Sequence, residues 1–153
     1  MSRAVRCETE LAAAPERVWG VVMDPRRLED WVTTHHDLPE GAPDSLDQGS
    51  HFPQQLRLGG VKFTVEWTVG ELDRPRSVTW DGAGPKGSKA RVRYELEPLD
   101  DGKRTRFGYE NEFDLPGGVL GQFAGRLVGE RAAKHEAELS LKKLKELIES
   151  EGG

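Results

Sequence analysis

Polar side chains on the apolar faces of predicted strands are the first candidates for chemistry. Tyr94, Tyr109 and Asn111 each fall on the strand face opposite to neighbouring charged residues. In a cavity, these groups could hydrogen bond a ligand oxygen or act as a positioned acid or base. The alternative is that they hydrogen bond one another or water inside the core. Trp67 and Trp80 lie on similar faces, either as core residues or as a stacking wall for a flat ligand.

The residues that usually carry metal, nucleophilic or nucleotide chemistry are sparse. The chain has four histidines, and they form no cluster at metal-ligand spacing: His35, His36, His51 and His135. Cys7 is the single cysteine, and its place in an alternating pattern favours a small core residue. The Gly-Ala-Gly-Pro stretch at 82–85 leads into no helix, so we interpret it as a hairpin loop. We therefore expect no metal and no cofactor.

Size and charge narrow the class of protein. A length of 153 residues predicts a single domain over residues 1–153. The net charge is −5 with both signs interspersed, and the lack of a basic stripe argues against a nucleic-acid partner. No apolar run approaches the roughly 20 residues that span a bilayer. Patterned sequence begins directly after Met1, which predicts no signal peptide, and the single cysteine predicts a cytoplasmic protein.

Alternating apolar and polar residues predict an antiparallel meander. In the cleanest example, Val61 to Val69, the odd positions are apolar and the even positions are polar. Further strands are predicted at 4–11, 51–58, 77–80, 90–96 and 105–113, with a short one near 34–38. Asp100-Asp101-Gly102 predicts a hairpin turn, because Asp and Gly tolerate positive φ. Such short, hairpin-linked strands are typical of a sheet with one wet face.

Two prolines mark two short helices after the first strand. Pro15 suits the first turn of one helix, and Asp24 can cap a second helix that Pro25 begins. Their apolar residues fall at helical spacing: Val18, Trp19 and Val22 in the first, and Leu28 and Trp31 in the second. We expect these helices to support the sheet.

A long C-terminal helix is predicted from Gly117 to about Ser150, and its rise of about 50 Å requires a sheet that curls along it. One stripe should face the sheet: Leu120, Phe123, Leu127, Glu130, Lys134, Ala137, Leu141, Leu144 and Ile148. Glu130 and Lys134 are either a solvated pair, or they or the neighbouring Arg131 and His135 form the rim or wall of a cavity. The last part should be solid core: Leu139, Leu141, Leu144, Leu147 and Ile148.

Glycines recur every four residues at the predicted start of this helix, at positions 117, 121, 125 and 129. Glycine at an interior helical position costs up to about 1 kcal/mol against alanine. Two explanations remain open. The glycines allow close packing where a Cβ would clash, or they form a soft lid over a cavity mouth.

The segment Pro15-Glu16-Arg17-Val18-Trp19, followed by Asp24-Pro25 and Trp31, resembles the opening of the START-like or Bet v 1-like superfamily. The similarity continues in 105–113 and 141–147 and is greatest to the bacterial polyketide cyclase/dehydrase and lipid-transport group. This resemblance implies an α+β helix-grip fold, in which a curved antiparallel sheet of about seven strands wraps a long C-terminal helix. It also implies a ligand cavity, while members range from aromatase/cyclases and lipid carriers to hormone receptors and co-chaperone-like proteins.

The expected function is therefore to bind or carry a small apolar ligand, a lipid or a polyketide-like aromatic, between the sheet and the long helix. The expected ligand-binding residues are Phe63, Trp67, Trp80, Tyr94, Tyr109, Asn111, Leu120, Phe123, Leu127 and Arg131. One alternative is a cyclase or dehydratase that uses acid–base residues of the cavity. Another is a co-chaperone-like interaction module without a ligand. The chain is expected to be a monomer or a homodimer.

Overall fold

An antiparallel sheet of seven strands forms most of the chain in the computed structural model, which describes residues 2–58, 60–114 and 130–151. The strands are β1 (Ser2–Leu11), β2 (His35–Asp37), β3 (His51–Leu58), β4 (Val61–Asp73), β5 (Ser77–Ala83), β6 (Lys89–Leu99) and β7 (Arg104–Asp114). The helices are α1 (Pro15–Val22), α2 (Leu28–Trp31) and α3 (Glu130–Glu151). The predicted α+β class is confirmed. Within these ranges, no helix has the length and apolar character to cross a membrane.

The strand order is β1-β7-β6-β5-β4-β3-β2, so β2 to β7 form a meander and β1 pairs with the last strand. A register shift between Val69 and Leu72 interrupts the pairing of β4 with β5. Such a bulge bends the strand and increases its twist. The sheet therefore curls, and α3 packs against β1 and α2.

The outer face of the sheet is wet, as the alternation predicts. Arg6 on β1 reaches across β7 to Glu95 on β6 at 3.5 Å, and Arg106 on β7 pairs with Glu10 on β1 at 3.6 Å. Gly108 lies on the intervening strand, where a Cβ would come within 3.6 Å of the Arg6 guanidinium. Exposed pairs of this kind contribute little stability, so the inner face must hold the fold.

The first short helix begins where the sequence predicts, whereas Pro25 begins a 3₁₀ turn (Pro25–Arg27) and α2 follows it from Leu28. Pro15 is the first residue of α1, and the Asp24 carboxylate accepts a hydrogen bond from the Arg26 amide at 3.0 Å, just before α2. A side-chain acceptor at this position satisfies an amide that has no partner within the helical turn. The buried residues Leu28 and Trp31 then direct α2 into the core.

Polar contacts tie α1 and the segments that flank α2 to the middle and the end of α3. The Arg17 guanidinium donates to the Ile148 carbonyl at 2.8 Å, and Arg27 pairs with Glu151 at 2.6 Å. The last carbonyls of a helix have no partner within it, and a cation there also stabilises the helix dipole. The Thr33 amide donates to the Ser140 hydroxyl at 3.0 Å. These contacts hold the middle and the end of α3 in place.

The buried stripe of α3 contains Ala137, Leu141, Leu144 and Ile148, as predicted. The prediction that Leu139 belongs to the core is wrong, because its side chain is exposed. Leu139 lies two residues after Ala137, which turns it by about 200° to the opposite side of the helix. Lys134 and His135 are exposed as well. The predicted stretch from Gly117, with its four glycines, lies outside the described residues as far as Gly129.

The hairpin loop predicted at 82–85 begins later than expected. Gly82 and Ala83 still belong to β5, and the chain turns only after them. Gly82 pairs with Trp67 in β4 and is buried. A Cβ at this position would lie 2.6 Å from Val65 Cγ1 and 2.7 Å from Trp67 Cζ3. The glycine therefore leaves room for the indole ring of the neighbouring strand.

We expect Gly82→Ala to lower the free energy of unfolding by about 1–3 kcal/mol, the usual effect of overpacking a core. Gly20→Ala is the matched control, because Gly20 is an exposed residue of α1 with nothing within 4 Å of a new Cβ. That change should raise stability by up to about 1 kcal/mol. Urea unfolding followed by circular dichroism measures both. A Gly82→Ala variant as stable as the parent protein would contradict this packing.

Candidate functional site

A cavity of about 40 Å³ lies between β7, the facing ends of β3 and β4, and the first turns of the described part of α3. By volume it has room for a few water-sized groups. Its apolar wall consists of Leu56, Phe63, Phe113, Ala133 and Ala137. Its polar wall consists of Thr34, Tyr109, Asn111, Glu136 and Ser140. The cavity thus joins an apolar surface to several hydrogen-bonding groups.

Tyr109 and Asn111 are neighbours on the inner face of β7, two residues apart, as the alternation predicts. Burial raises the pKa of the Tyr109 phenol to about 12, the Cys7 thiol adds to this shift, and hydrogen bonding from Asn111 opposes it. The phenol therefore keeps its proton near neutral pH. Tyr109 can offer a neutral hydroxyl to the cavity.

Cys7 lies opposite Tyr109 in the pairing of β1 with β7. Burial and the Glu138 carboxylate raise the pKa of the Cys7 thiol, and the Lys134 ammonium lowers it. A raised pKa keeps sulfur in the thiol form and disfavours a nucleophilic thiolate. Cys7 also packs against the hydrophobic core, which agrees with a small core residue.

The helical side of the cavity is held from outside by Thr33. The Thr33 hydroxyl donates to the Glu136 carbonyl at 3.2 Å, and the Thr33 amide donates to the Ser140 hydroxyl. Ser140 is buried, and its oxygen accepts a backbone donor. The linker after α2 therefore sets the position of the polar residues that α3 brings to the cavity.

An aromatic layer lies behind the cavity. Tyr94 stacks on Tyr109 with ring centroids 5.7 Å apart and is in turn 5.5 Å from Trp80, which lies 6.0 Å from Trp67. Burial raises the pKa of the Tyr94 phenol well above its ordinary value. These three predicted residues are buried in the aromatic core and are absent from the lining described above. Only Tyr94 packs directly on the ring of Tyr109, and the two tryptophans lie behind Tyr94.

The structure thus brings Phe63, Tyr109 and Asn111 together at one cavity. Three of the other predicted residues, Leu120, Phe123 and Leu127, lie outside the described residues, and so does the side chain of Arg131. Residues 115–129 connect β7, whose Phe113 lines the cavity, to α3, whose Ala133 lines it.

Several lining residues were not predicted. Leu56 and Phe113 share inner strand faces with residues that were, because Leu56 pairs with Phe63 and Phe113 follows Asn111 by two positions. The alternation of these strands could therefore have identified both residues as candidates for the cavity lining. Thr34 and Ser140 carry no comparable signal, since each reaches the cavity through the packing of α2 against α3.

A buried hydrogen-bond chain lies in the wall beside this cavity. The Trp67 indole donates to Gln54 Oε1 at 2.8 Å, and Gln54 Nε2 lies 2.9 Å from His35 Nδ1. Gln54 is only 4% exposed. His35 pairs with the lining residue Leu56. In the part of the chain that is described, no three His, Cys, Asp or Glu side chains are grouped as metal ligands.

A curled antiparallel sheet that holds a C-terminal helix, with short helices after the first strand, defines a helix-grip protein. Residues 2–149 match the family described as polyketide cyclase / dehydrase and lipid transport, and the chain belongs to this family. The resemblance found in the sequence is therefore confirmed.

Individual relatives are distant. The ZhuI aromatase/cyclase of Streptomyces sp. R1128 has a TM-score of 0.73 at 18% identity, over 97% of this chain and 94% of that one. Protein CV1439 of Chromobacterium violaceum has a TM-score of 0.71 at 18% identity, over 95% and 97%. Toxin Rv0910 of Mycobacterium tuberculosis is 25% identical over 93 residues, 61% of this chain and 65% of that relative's length.

Proposed function

We propose that this protein binds or carries a small apolar molecule, a lipid or a polyketide-like aromatic, and that the oxygen-bearing end of this ligand occupies the cavity beside Tyr109. The observation that carries the proposal is a neutral, buried phenol beside an apolar wall of Leu56, Phe63 and Phe113. Binding sites for small molecules usually combine a mainly apolar lining with a few placed polar groups. The family, which includes lipid transport in its description, supports this reading.

The tyrosines favour binding over acid–base catalysis. A general acid or base works best with a pKa near the operating pH. Burial moves the pKa of Tyr109 to about 12 and that of Tyr94 upward too, which makes both poor proton carriers near neutral pH. A phenol of this kind remains a good hydrogen-bond donor to a ligand oxygen.

A cyclase or dehydratase is the second candidate, and Glu136 is the observation that favours it. This residue lines the same cavity as Tyr109 and Asn111. A carboxylate could remove a proton next to a carbonyl that the phenol and the amide hold by hydrogen bonds. The similarity in fold to an aromatase/cyclase is compatible with such a reaction.

The matched pair of acetophenone and ethylbenzene tests the binding proposal, because the two differ mainly in one carbonyl oxygen. The unmodified protein should bind acetophenone more tightly. Tyr109→Phe removes only the hydroxyl, and it should weaken acetophenone binding by about 2- to 12-fold, the equivalent of one net hydrogen bond. Binding of ethylbenzene should not change. Amide chemical-shift titration gives both dissociation constants and shows which residues respond.

Tyr94→Phe is the control for this experiment, since Tyr94 loses the same hydroxyl in the aromatic layer behind the cavity. It should leave the preference for acetophenone unchanged. Equal affinity for both compounds in the unmodified protein, or shifts confined to the outer face of the sheet, would refute the proposed site.

Solvent extraction of the purified protein followed by mass spectrometry separates the broader classes. A co-purified lipid or aromatic compound supports a binder or carrier. Conversion of an added aromatic polyketide precursor, lost in Glu136→Gln but kept in Tyr94→Phe, would support the cyclase. If no ligand co-purifies and no precursor is converted, the result favours the interaction module.

A further inference from the structure

The hydrogen-bond chain from Trp67 through Gln54 to His35 has a direction that follows from chemistry alone. An indole N–H can only donate, so the Gln54 atom that it meets at 2.8 Å must be the carbonyl oxygen Oε1. The amide nitrogen Nε2 of Gln54 then points at His35 Nδ1, 2.9 Å away. An amide nitrogen donates only, and Nδ1 must accept. His35 therefore carries its proton on Nε2.

We infer that Trp67 and Gln54 are positioning residues that hold His35 in this single neutral form, so that protonation of His35 releases β2 from the wall of the cavity. A protonated imidazole has N–H groups at both nitrogens, and Nδ1–H would then face the Gln54 amide N–H. Gln54 cannot turn its oxygen toward His35 without presenting its nitrogen to the Trp67 donor. The chain is compatible with one charge state only.

The groups around His35 act on its pKa in opposite directions. Burial lowers the pKa of His35, and neighbouring His36 on the same strand acts in the same direction. The carboxylates of Glu29 on α2 and Asp37 on β2 act against it by favouring the imidazolium. When the pH falls, the Glu29 and Asp37 carboxylates therefore favour protonation of His35, whereas the N–H donor of Gln54 at Nδ1 opposes it.

Protonation of His35 should affect the cavity, because β2 is a short strand at one edge of the sheet. His35 pairs with Leu56, and the Thr34 carbonyl accepts from the Arg57 amide at 2.8 Å. Leu56 and Thr34 both line the cavity. Without the Gln54–His35 contact, this strand of three residues depends on its backbone pairing with β3 at His35 and Asp37 and on the Arg57–Thr34 hydrogen bond. The wall should open as the pH falls, which would allow ligand exchange in acid.

The test is a comparison of Trp67→Phe with Trp80→Phe, two indoles in ring contact of which only Trp67 binds Gln54. Imidazole ¹H–¹⁵N correlation spectra at several pH values report the tautomer and the pKa of His35. In the unmodified protein, Nδ1 should be unprotonated at pH 7.5. Trp67→Phe frees the Gln54 amide to rotate and should raise the pKa of His35 and admit the Nδ1–H form. Trp80→Phe should leave His35 as in the unmodified protein.

Gln54→Leu provides a second variant that should also raise the pKa of His35, since it removes the donor to Nδ1. Exchange of the Arg57 amide, corrected for its intrinsic pH dependence, should accelerate in the unmodified protein only at a pH below 6.5, the ordinary pKa of histidine, because burial lowers the pKa of His35 from that value. It should be fast at all pH values in Gln54→Leu. An Nδ1–H tautomer at pH 7.5, or a His35 that does not respond to Trp67→Phe, would overturn the inference. These measurements need no ligand, so their outcome is independent of the proposed function.

Discussion

Leu144→Ala is expected to lower the free energy of unfolding by about 2–5 kcal/mol, the range for truncating a buried leucine. Leu144 is fully buried on the inner stripe of α3. Arg17 and Arg27 fix the end of this helix by their contacts with Ile148 and Glu151, so the structure cannot easily collapse into the space that is left. Such a site should lie toward the upper part of the range. Urea unfolding at pH 7 measures the change.

Leu139→Ala makes the same chemical change on the opposite side of the same helix. Because Leu139 is exposed, its loss should alter stability by no more than about 0.5 kcal/mol. Helix propensity changes equally in both variants, and the difference between them isolates burial. Similar losses at the two positions would mean that the sheet does not hold α3 by this stripe.

The second large effect is expected at Trp31, where replacement by alanine should cost about 3–5 kcal/mol. Trp31 is fully buried, and its ring lies 5.9 Å from that of Tyr94 and 6.0 Å from that of Tyr109. It is also one of two buried residues in a helix of only four residues. Without this indole, α2 loses its ring contacts with Tyr94 and Tyr109, and Tyr109 loses a neighbour that fixes its ring.

Trp31→Phe is the control, because it keeps an aromatic ring in the same place. It should cost clearly less than Trp31→Ala in the same urea titrations. The alanine variant should also weaken the preference for acetophenone over ethylbenzene, since Tyr109 becomes less well positioned. A loss of stability below about 1 kcal/mol in Trp31→Ala would show that the aromatic layer does not hold α2 in place.

Local pattern predicts most of the elements. The alternation in β4 and β7 and the prolines that begin α1 and the turn before α2 all lie within a few residues of the structure they specify. The turn at Asp100 to Gly102 adopts positive φ at all three residues, as expected from Asp and Gly. Such features depend on neighbours in the chain, and the sequence displays those neighbours directly.

The errors arise where a residue depends on a distant partner. Gly82 is a residue type typical of loops, yet it belongs to β5. A glycine is needed there because the indole of Trp67 on the adjacent strand occupies the space that a side chain would fill. Leu139 has the composition of core, yet the helix turns it away from the sheet. Hydrophobicity alone does not identify the buried face. The position of the helix against β1 and α2 does so.

The same distinction between local pattern and distant partners applies to the candidate site. Sequence alone determined that Phe63, Tyr109 and Asn111 would face inward, because a strand sends alternate side chains to one face. Only the tertiary structure decided that Thr34, Glu136 and Ser140 would meet them at one cavity. It alone also decided that burial would raise the pKa of the Tyr109 phenol, and that a tryptophan would fix the proton of His35 through Gln54. Solvation and hydrogen-bond direction are properties of assembled groups, and residues far apart in the chain supply those groups.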